Sequence, residues 1–221
     1  MIPLPRNYID FDPHFSCATS VVEVRGTMTP RRYLDFAIVD MEQDKSERGR
    51  VNAFSNAKRA LHLQVETLAN IFGFTQYSSK PKRPNFHSYL DYVEKCGVIT
   101  PRILRKLNSV RNAVEHDYYV PTEPETDDFI DIVELFIAAT ERAIYQFPND
   151  VEFLPTAVDN ANLPMIRMLE TMPYSGQLKL NTYDAREKNG LLTLTPDNEE
   201  YFVWLRLMLL GVHQGHYGLG N

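Results

Sequence analysis

A helical pattern that runs without interruption for nearly twenty residues constrains the fold of this chain more than any other feature. Apolar residues recur there at three- and four-residue spacing, and the pattern stops at Gly73, a residue type that commonly ends helices. The pattern consists of Phe54, Ala57, Leu61, Val65, Leu68 and Phe72. It predicts a long helix with one buried face, which needs other helices or a sheet to cover it.

Similar patterns flank this helix on both sides. Thr29-Pro30 begins an earlier helix, and Asn85 begins a shorter one that ends at Gly97. After a proline-containing break, Thr126-Asp127-Asp128 caps a last helix whose apolar face extends to Phe147. Four or five helices with short links predict a helical bundle over residues 29–147.

The two ends of the chain show a different pattern. Strands are predicted at 151–154, 165–169, 178–183 and 191–194, and they are followed by an apolar helix from about residue 197 to 211. A further strand at 18–25 could join the same sheet. We therefore expect a mainly α protein in three segments: an N-terminal arm (1–28), the bundle (29–147) and a small C-terminal α+β appendage (148–221). An exposed part of the last helix would be a candidate interface.

Composition limits the classes of function. The chain has 221 residues, 43% of them hydrophobic and 24% charged, which is ordinary for a globular protein. A secretory signal and a membrane-spanning stretch are both missing from the sequence, so we expect a cytoplasmic location and no membrane partner. Cys17 and Cys96 are typical of reduced structural thiols, and the pair His213 and His216 lacks further ligands. We expect no metal and no cofactor.

One short segment combines three kinds of polar chemistry within little more than a helical turn. Arg111 carries a permanent cation that can fork onto phosphate, Asn112 adds a carboxamide, and His116 can exchange a proton near neutral pH. The helix that carries them begins at Thr100-Pro101. It has one apolar stripe, formed by Ile103, Leu104, Leu107, Val110 and Val114. The alternative is structural, because an Arg and a His at a helix end commonly cap carbonyls.

The same helix carries a strip of basic residues with no acid between positions 100 and 114. Arg102, Arg105 and Lys106 precede Arg111 in this strip. It is a candidate RNA-binding surface, and the alternative is an ordinary solvated face. The net charge of -6 argues against broad, charge-driven binding of nucleic acid but leaves room for a local basic cleft.

The spacing Arg111-x4-His116-x-Tyr118, with Asn112 directly after the arginine, resembles the HEPN domains. The resemblance covers about residues 29–147. It implies a homodimeric, metal-independent endoribonuclease with the Arg and His at the dimer cleft. The extended form is similar to that of HEPN toxins paired with nucleotidyltransferase antitoxins, in which the tyrosine matching Tyr118 is a modification site. A homodimer also eases the geometry, because Arg111 and His116 lie at different azimuths on one helix.

Three hypotheses about function remain. The preferred one is an enzyme that cleaves single-stranded or looped RNA through attack of the 2′-OH, acting as a prokaryotic toxin or defence effector. Arg111, His116 and Asn112 would be its catalytic residues. The alternative is a non-catalytic dimeric module that binds a nucleotide or a partner, which the acids Glu115 and Asp117 beside His116 favour. In the third, the Arg-His pair only stabilises a helical dimer.

Overall fold

The computed structural model describes residues 16–24, 26–98, 104, 119–152, 166–183 and 189–213. Helices form most of the first two thirds of this part, and an antiparallel sheet with a final helix forms the rest. One cluster of buried side chains extends from the helices to the sheet.

The helices α1 (Pro30–Gln43) and α2 (Glu47–Ile71) form a hairpin. The Thr29 side chain caps α1 by accepting a hydrogen bond from the backbone N–H of Arg32. The Ser46 side chain caps α2 by accepting a hydrogen bond from the backbone N–H of Gly49. The predicted apolar stripe of α2 is buried and the helix ends immediately before Phe72 and Gly73, so this prediction is confirmed. Asn56 on α2 donates a hydrogen bond of 2.8 Å to Asp40 on α1.

Two further helices pack against α2. Asn85 and Ser88 form a reciprocal cap for α3 (Phe86–Lys95). The helix α4 (Glu123–Thr140) begins earlier than predicted, because Thr122 and Glu125 form its capping box and Pro124 occupies the first turn, where a proline needs no backbone donor. The rings of Phe54 and Phe129 stack with centroids 4.3 Å apart and fix α4 against α2.

A short helix, α5 (Arg142–Tyr145), leads from α4 into the sheet. The sheet contains β1 (Ser16–Ser20), β2 (Phe147–Glu152), β3 (Ile166–Thr171), β4 (Leu178–Tyr183) and β5 (Asn189–Leu194), antiparallel and in that spatial order. The last helix is α6 (Glu199–His213). The four strands predicted in the C-terminal part overlap β2, β3, β4 and β5, and the predicted N-terminal strand overlaps β1 and joins the sheet.

The predicted fold class is wrong. A helical bundle with a small appendage was expected, whereas the described chain is α+β and includes an open five-stranded antiparallel sheet. The inner residues Leu169, Leu178 and Leu180 have no exposed surface, so this face of the sheet is as much a part of the core as the helices are. Phe147 was expected at the end of a helix, but it begins β2. It precedes Pro148, and a residue before proline is driven out of the helical region towards extended backbone. The division of the chain into three segments stays a prediction.

The end of α2 joins the helices to the C-terminal part. The carbonyl of Phe72 accepts hydrogen bonds from the hydroxyl of Tyr92 on α3, at 2.7 Å, and from the hydroxyl of Tyr201 on α6, at 2.8 Å. Both tyrosines are buried, and burial raises the pKa of each phenol well above its ordinary value. The hydroxyls therefore stay protonated and act as donors.

Candidate functional site

The residues predicted for catalysis, modification and RNA binding lie outside the described residues. They are Arg111, Asn112, His116, Tyr118, Arg102, Arg105 and Lys106. Their roles stay predictions. From the same stretch of sequence the structure describes Leu104, a helical residue with no exposed surface. The predicted apolar stripe of that helix thus has at least one member in the core.

The structure resumes at Tyr119, three residues after His116, and the chain is held firmly there. The Tyr119 hydroxyl donates a hydrogen bond of 2.6 Å to Glu125. Arg50 on α2 donates to the carbonyl of Pro121 at 2.8 Å and to the carbonyl of Lys45 at 2.7 Å. The segment that leaves the predicted motif is therefore anchored to the turn between α1 and α2 and to the start of α4.

Glu125 is the centre of this anchor. Hydrogen bonds from the Tyr119 hydroxyl and from the backbone and hydroxyl of Thr122 lower the pKa of its carboxyl group. The ionised carboxylate is thus the form that the fold stabilises. The contribution of this carboxylate to the stability of the folded chain is fully present above the ordinary pKa of a glutamate. It is lost as the pH falls through the lowered pKa.

The start of α4 is strongly acidic. Glu123, Glu125, Asp127, Asp128 and Asp131 lie within nine residues, and Lys45 forms an ion pair of 2.5 Å with Glu123. Carboxylates near a helix N-terminus are stabilised by the helix dipole. They also repel phosphate, so RNA that approaches this side of the molecule would depend on cations outside α4.

A groove along α2 is a concave surface lined by charged and polar side chains. It consists of two adjoining cavities of about 440 and 340 Å³ that share Leu63 and Glu66. Residues 26–28 and Tyr33 line one part of it, and Val24, Thr75, Gln76 and Tyr174 line the other. This surface is called the α2 groove below.

The polar side chains of the α2 groove are sorted by type along the helix. Lys58, Arg59 and His62 lie at one end. Thr67 and Asn70 lie at the other, with Glu66 between the two groups. The His62 ring centroid is 6.0 Å from that of Phe86 and 6.2 Å from that of Tyr89. The arrangement can receive a ligand that is anionic at one end and rich in hydrogen-bonding groups at the other.

The sequence carries one local signal for this groove. Lys58, His62 and Glu66 follow one another at four-residue intervals, which places them on one face of a helix. That face lies beside the apolar stripe, at the edge of the buried surface, where polar residues are common in any case. Val24, residues 26–28 and Tyr174 come from distant parts of the chain, so the pattern alone could not show that a groove forms.

Comparison with protein families, with curated proteins and with solved structures finds no match to this chain.

Three other features bear on chemistry. The described residues include no group of three or more His, Cys, Asp or Glu side chains placed to hold a metal ion, and they include no helix long and apolar enough to cross a membrane. Cys17 and Cys96 are free thiols. Burial, together with the nearby Asp150, raises the pKa of Cys17 to about 11, so this thiol is protonated at neutral pH and is a poor nucleophile.

Proposed function

We propose that this protein is a metal-independent endoribonuclease that uses Arg111 and His116, as the resemblance to HEPN domains implies. The combination of Arg111, Asn112 and His116 in one short segment carries the proposal. RNA supplies its own nucleophile, the 2′-OH. The enzyme then needs a group that removes the proton from this hydroxyl, a group that protonates the departing 5′ oxygen, and a cation for the charge that develops on phosphorus.

The proposed chemistry assigns these tasks to different residues. His116 transfers protons, Arg111 stabilises the phosphorane, and Asn112 orients one of the two. The 2′ oxygen bonds to phosphorus while the bond to the 5′ oxygen breaks, which leaves a 2′,3′-cyclic phosphate and a 5′-hydroxyl. In a homodimer, each protomer would contribute its own Arg and His to a shared cleft. Arg102, Arg105 and Lys106 would guide the RNA backbone.

The anchored segment after the motif supports this proposal. Catalytic groups work best when they lie on rigidly held elements. Tyr119 and Pro121, which follow His116 closely in sequence, are tied to Glu125 and Arg50. Control in a cytoplasmic toxin-antitoxin pair would involve a nucleotidyltransferase-type antitoxin that modifies Tyr118. The added negative charge would then lie close in sequence to Arg111 and oppose phosphate binding.

The direct test is cleavage of varied single-stranded and hairpin RNAs by the purified protein in the presence of EDTA. We expect cleavage to persist with the chelator and the 5′ fragments to end in 2′,3′-cyclic phosphates. RNA left intact under all conditions would favour the alternative, a non-catalytic nucleotide- or partner-binding module. The acidic start of α4 is the observation that favours this second function, because it opposes general binding of RNA.

The anchor at Arg50 yields a prediction that connects structure with activity. We expect Arg50→Gln to lower the cleavage rate by about ten- to a hundredfold, because small displacements of catalytic groups have effects of this size. The variant should also lose about 1–3 kcal/mol of stability, since a charged donor to two carbonyls is removed. Rates would be measured well below the melting temperature of the variant.

Arg48→Gln is the matched control, since Arg48 is an exposed arginine in the first turn of the same helix. It should cleave at the rate of the unmodified protein. Equal rates for Arg50→Gln and Arg48→Gln would show that the anchor does not position the catalytic groups.

A further inference from the structure

We propose that the α2 groove is a binding site for a nucleoside phosphate. The phosphate lies at the end formed by Lys58, Arg59 and His62, and the base lies at the end formed by Thr67 and Asn70. The inference goes beyond the proposed ribonuclease and does not rest on it, because none of these residues belongs to the Arg111–His116 motif.

The cationic end is suited to phosphate. Three basic side chains occur within five residues of one helix, and all three line the same cavity. Arg59 is held in place by a chain of hydrogen bonds: its guanidinium donates to Asn56 at 3.1 Å, and Asn56 donates to Asp40 at 2.8 Å. A guanidinium oriented in this way loses less conformational freedom when it binds phosphate.

The other end presents polar groups that lack partners within the described part of the chain. Thr67 is only 7% exposed, lines the cavity, and has no hydrogen-bond partner for its hydroxyl there. A buried hydroxyl without a partner is unfavourable, so it is more readily explained as a group that meets a ligand. The Asn70 amide lines the same cavity and is likewise unpaired among the described residues. An amide matches the paired donor and acceptor on the edge of a base.

The spacing of the groups fits one nucleotide. His62 and Asn70 are eight residues apart, or roughly 12 Å along the helix axis. Glu66 lies midway between them and accepts a hydrogen bond of 3.3 Å from the hydroxyl of Tyr89. A carboxylate at this position suits the ribose hydroxyls, which donate hydrogen bonds to acidic residues in nucleotide sites. The order of cation, carboxylate and amide thus matches that of phosphate, ribose and base.

Isothermal titration calorimetry on the full chain tests the site. The probes are the four ribonucleoside triphosphates, adenosine, and inorganic tripolyphosphate. We expect at least one nucleotide to bind with micromolar affinity and at least tenfold more tightly than either adenosine or tripolyphosphate. A result in which tripolyphosphate binds as tightly as every nucleotide would overturn the proposal, because the base end would then contribute nothing.

Variants separate the two ends of the groove. Arg59→Ala should weaken nucleotide binding by about ten- to a hundredfold, the loss expected for one charged hydrogen bond, whereas Arg48→Ala on the same helix should leave it unchanged. Thr67→Val, which keeps the shape of the side chain, should weaken binding while the melting temperature stays the same or rises. Equal affinity for Arg59→Ala and Arg48→Ala, or unchanged affinity for Thr67→Val, would contradict the assignment.

The outcomes also separate this site from the proposed ribonuclease. His116→Ala should bind the nucleotide as tightly as the unmodified protein does, whether or not that protein cleaves RNA. In a parallel titration, free nucleotide is added to the protein with a bound fluorescent single-stranded RNA. RNA that binds in the α2 groove should be displaced by the nucleotide. RNA binding with no detectable binding of any free nucleotide would overturn the proposal.

Discussion

Replacing His116 with alanine is expected to lower the rate of RNA cleavage by about a hundredfold to ten-thousandfold, the usual effect of losing a positioned acid or base. Arg111→Ala should have an effect of about a hundredfold to a thousandfold, because it removes a cation that stabilises the charge developing in the transition state. Both variants should remain folded. The measurement is a single-turnover cleavage rate on a defined RNA with EDTA present.

His87→Ala is a matched control, since His87 is an exposed histidine on α3 and far from the motif in sequence. It should leave the rate unchanged. A contaminating nuclease would be revealed if His116→Ala, Arg111→Ala and His87→Ala all cleaved at the same rate, and the proposed roles of Arg111 and His116 would then be withdrawn. Loss of activity in His116→Ala together with loss of the folded state would not count as support, so circular dichroism accompanies each assay.

Gly73→Ala is expected to lower the free energy of unfolding by about 2–5 kcal/mol. Gly73 has a φ of +90°, where a side chain adds about 1–2 kcal/mol of strain. A Cβ there would also lie 2.4 Å from the Cα of Gly176, so the backbone of one segment would have to move. Such overpacking adds about 1–3 kcal/mol. Chemical denaturation would measure the difference.

Gly26→Ala separates the two contributions. Gly26 has a similar φ of +101°, but a Cβ there would meet nothing within 4 Å. This variant should lose only the conformational part, about 1–2 kcal/mol. Equal losses for Gly26→Ala and Gly73→Ala would show that the close approach to Gly176 is relieved without cost.

Local patterns predicted local structure well. The spacing from Phe54 to Phe72 predicted α2 and its end at Gly73, and the strand predicted at 191–194 lies within β5. The fold class was wrong because β2 was recognised only from residue 151 onwards and because the sheet was treated as an appendage, although its inner face is part of the core. Local patterns located the strands, but no local pattern shows how much of the core a sheet will form. Pro148 offered a clue, since Phe147 before it could not easily continue a helix.

The candidate sites differ in how far the sequence could reveal them. The motif from Arg111 to Tyr118 is contiguous, so its chemistry could be recognised from the sequence, although its roles stay predictions. The α2 groove forms where Val24, residues 26–28, α2 and Tyr174 meet, and the sequence itself carries only the four-residue interval from Lys58 to Glu66. A group such as the Thr67 hydroxyl, which has no partner among the described residues, can be recognised only when its surroundings are known.

The paired hydrogen bonds at the Phe72 carbonyl have a consequence for how the protein opens. This one acceptor binds Tyr92 from α3 and Tyr201 from α6, so neither helix can detach without removing a donor from a buried oxygen. Local fluctuations that expose α6 therefore also weaken the packing of α3 against the end of α2. In native-state hydrogen exchange, the amides of these two helices should belong to one cooperative unit, although more than a hundred residues separate them in the chain.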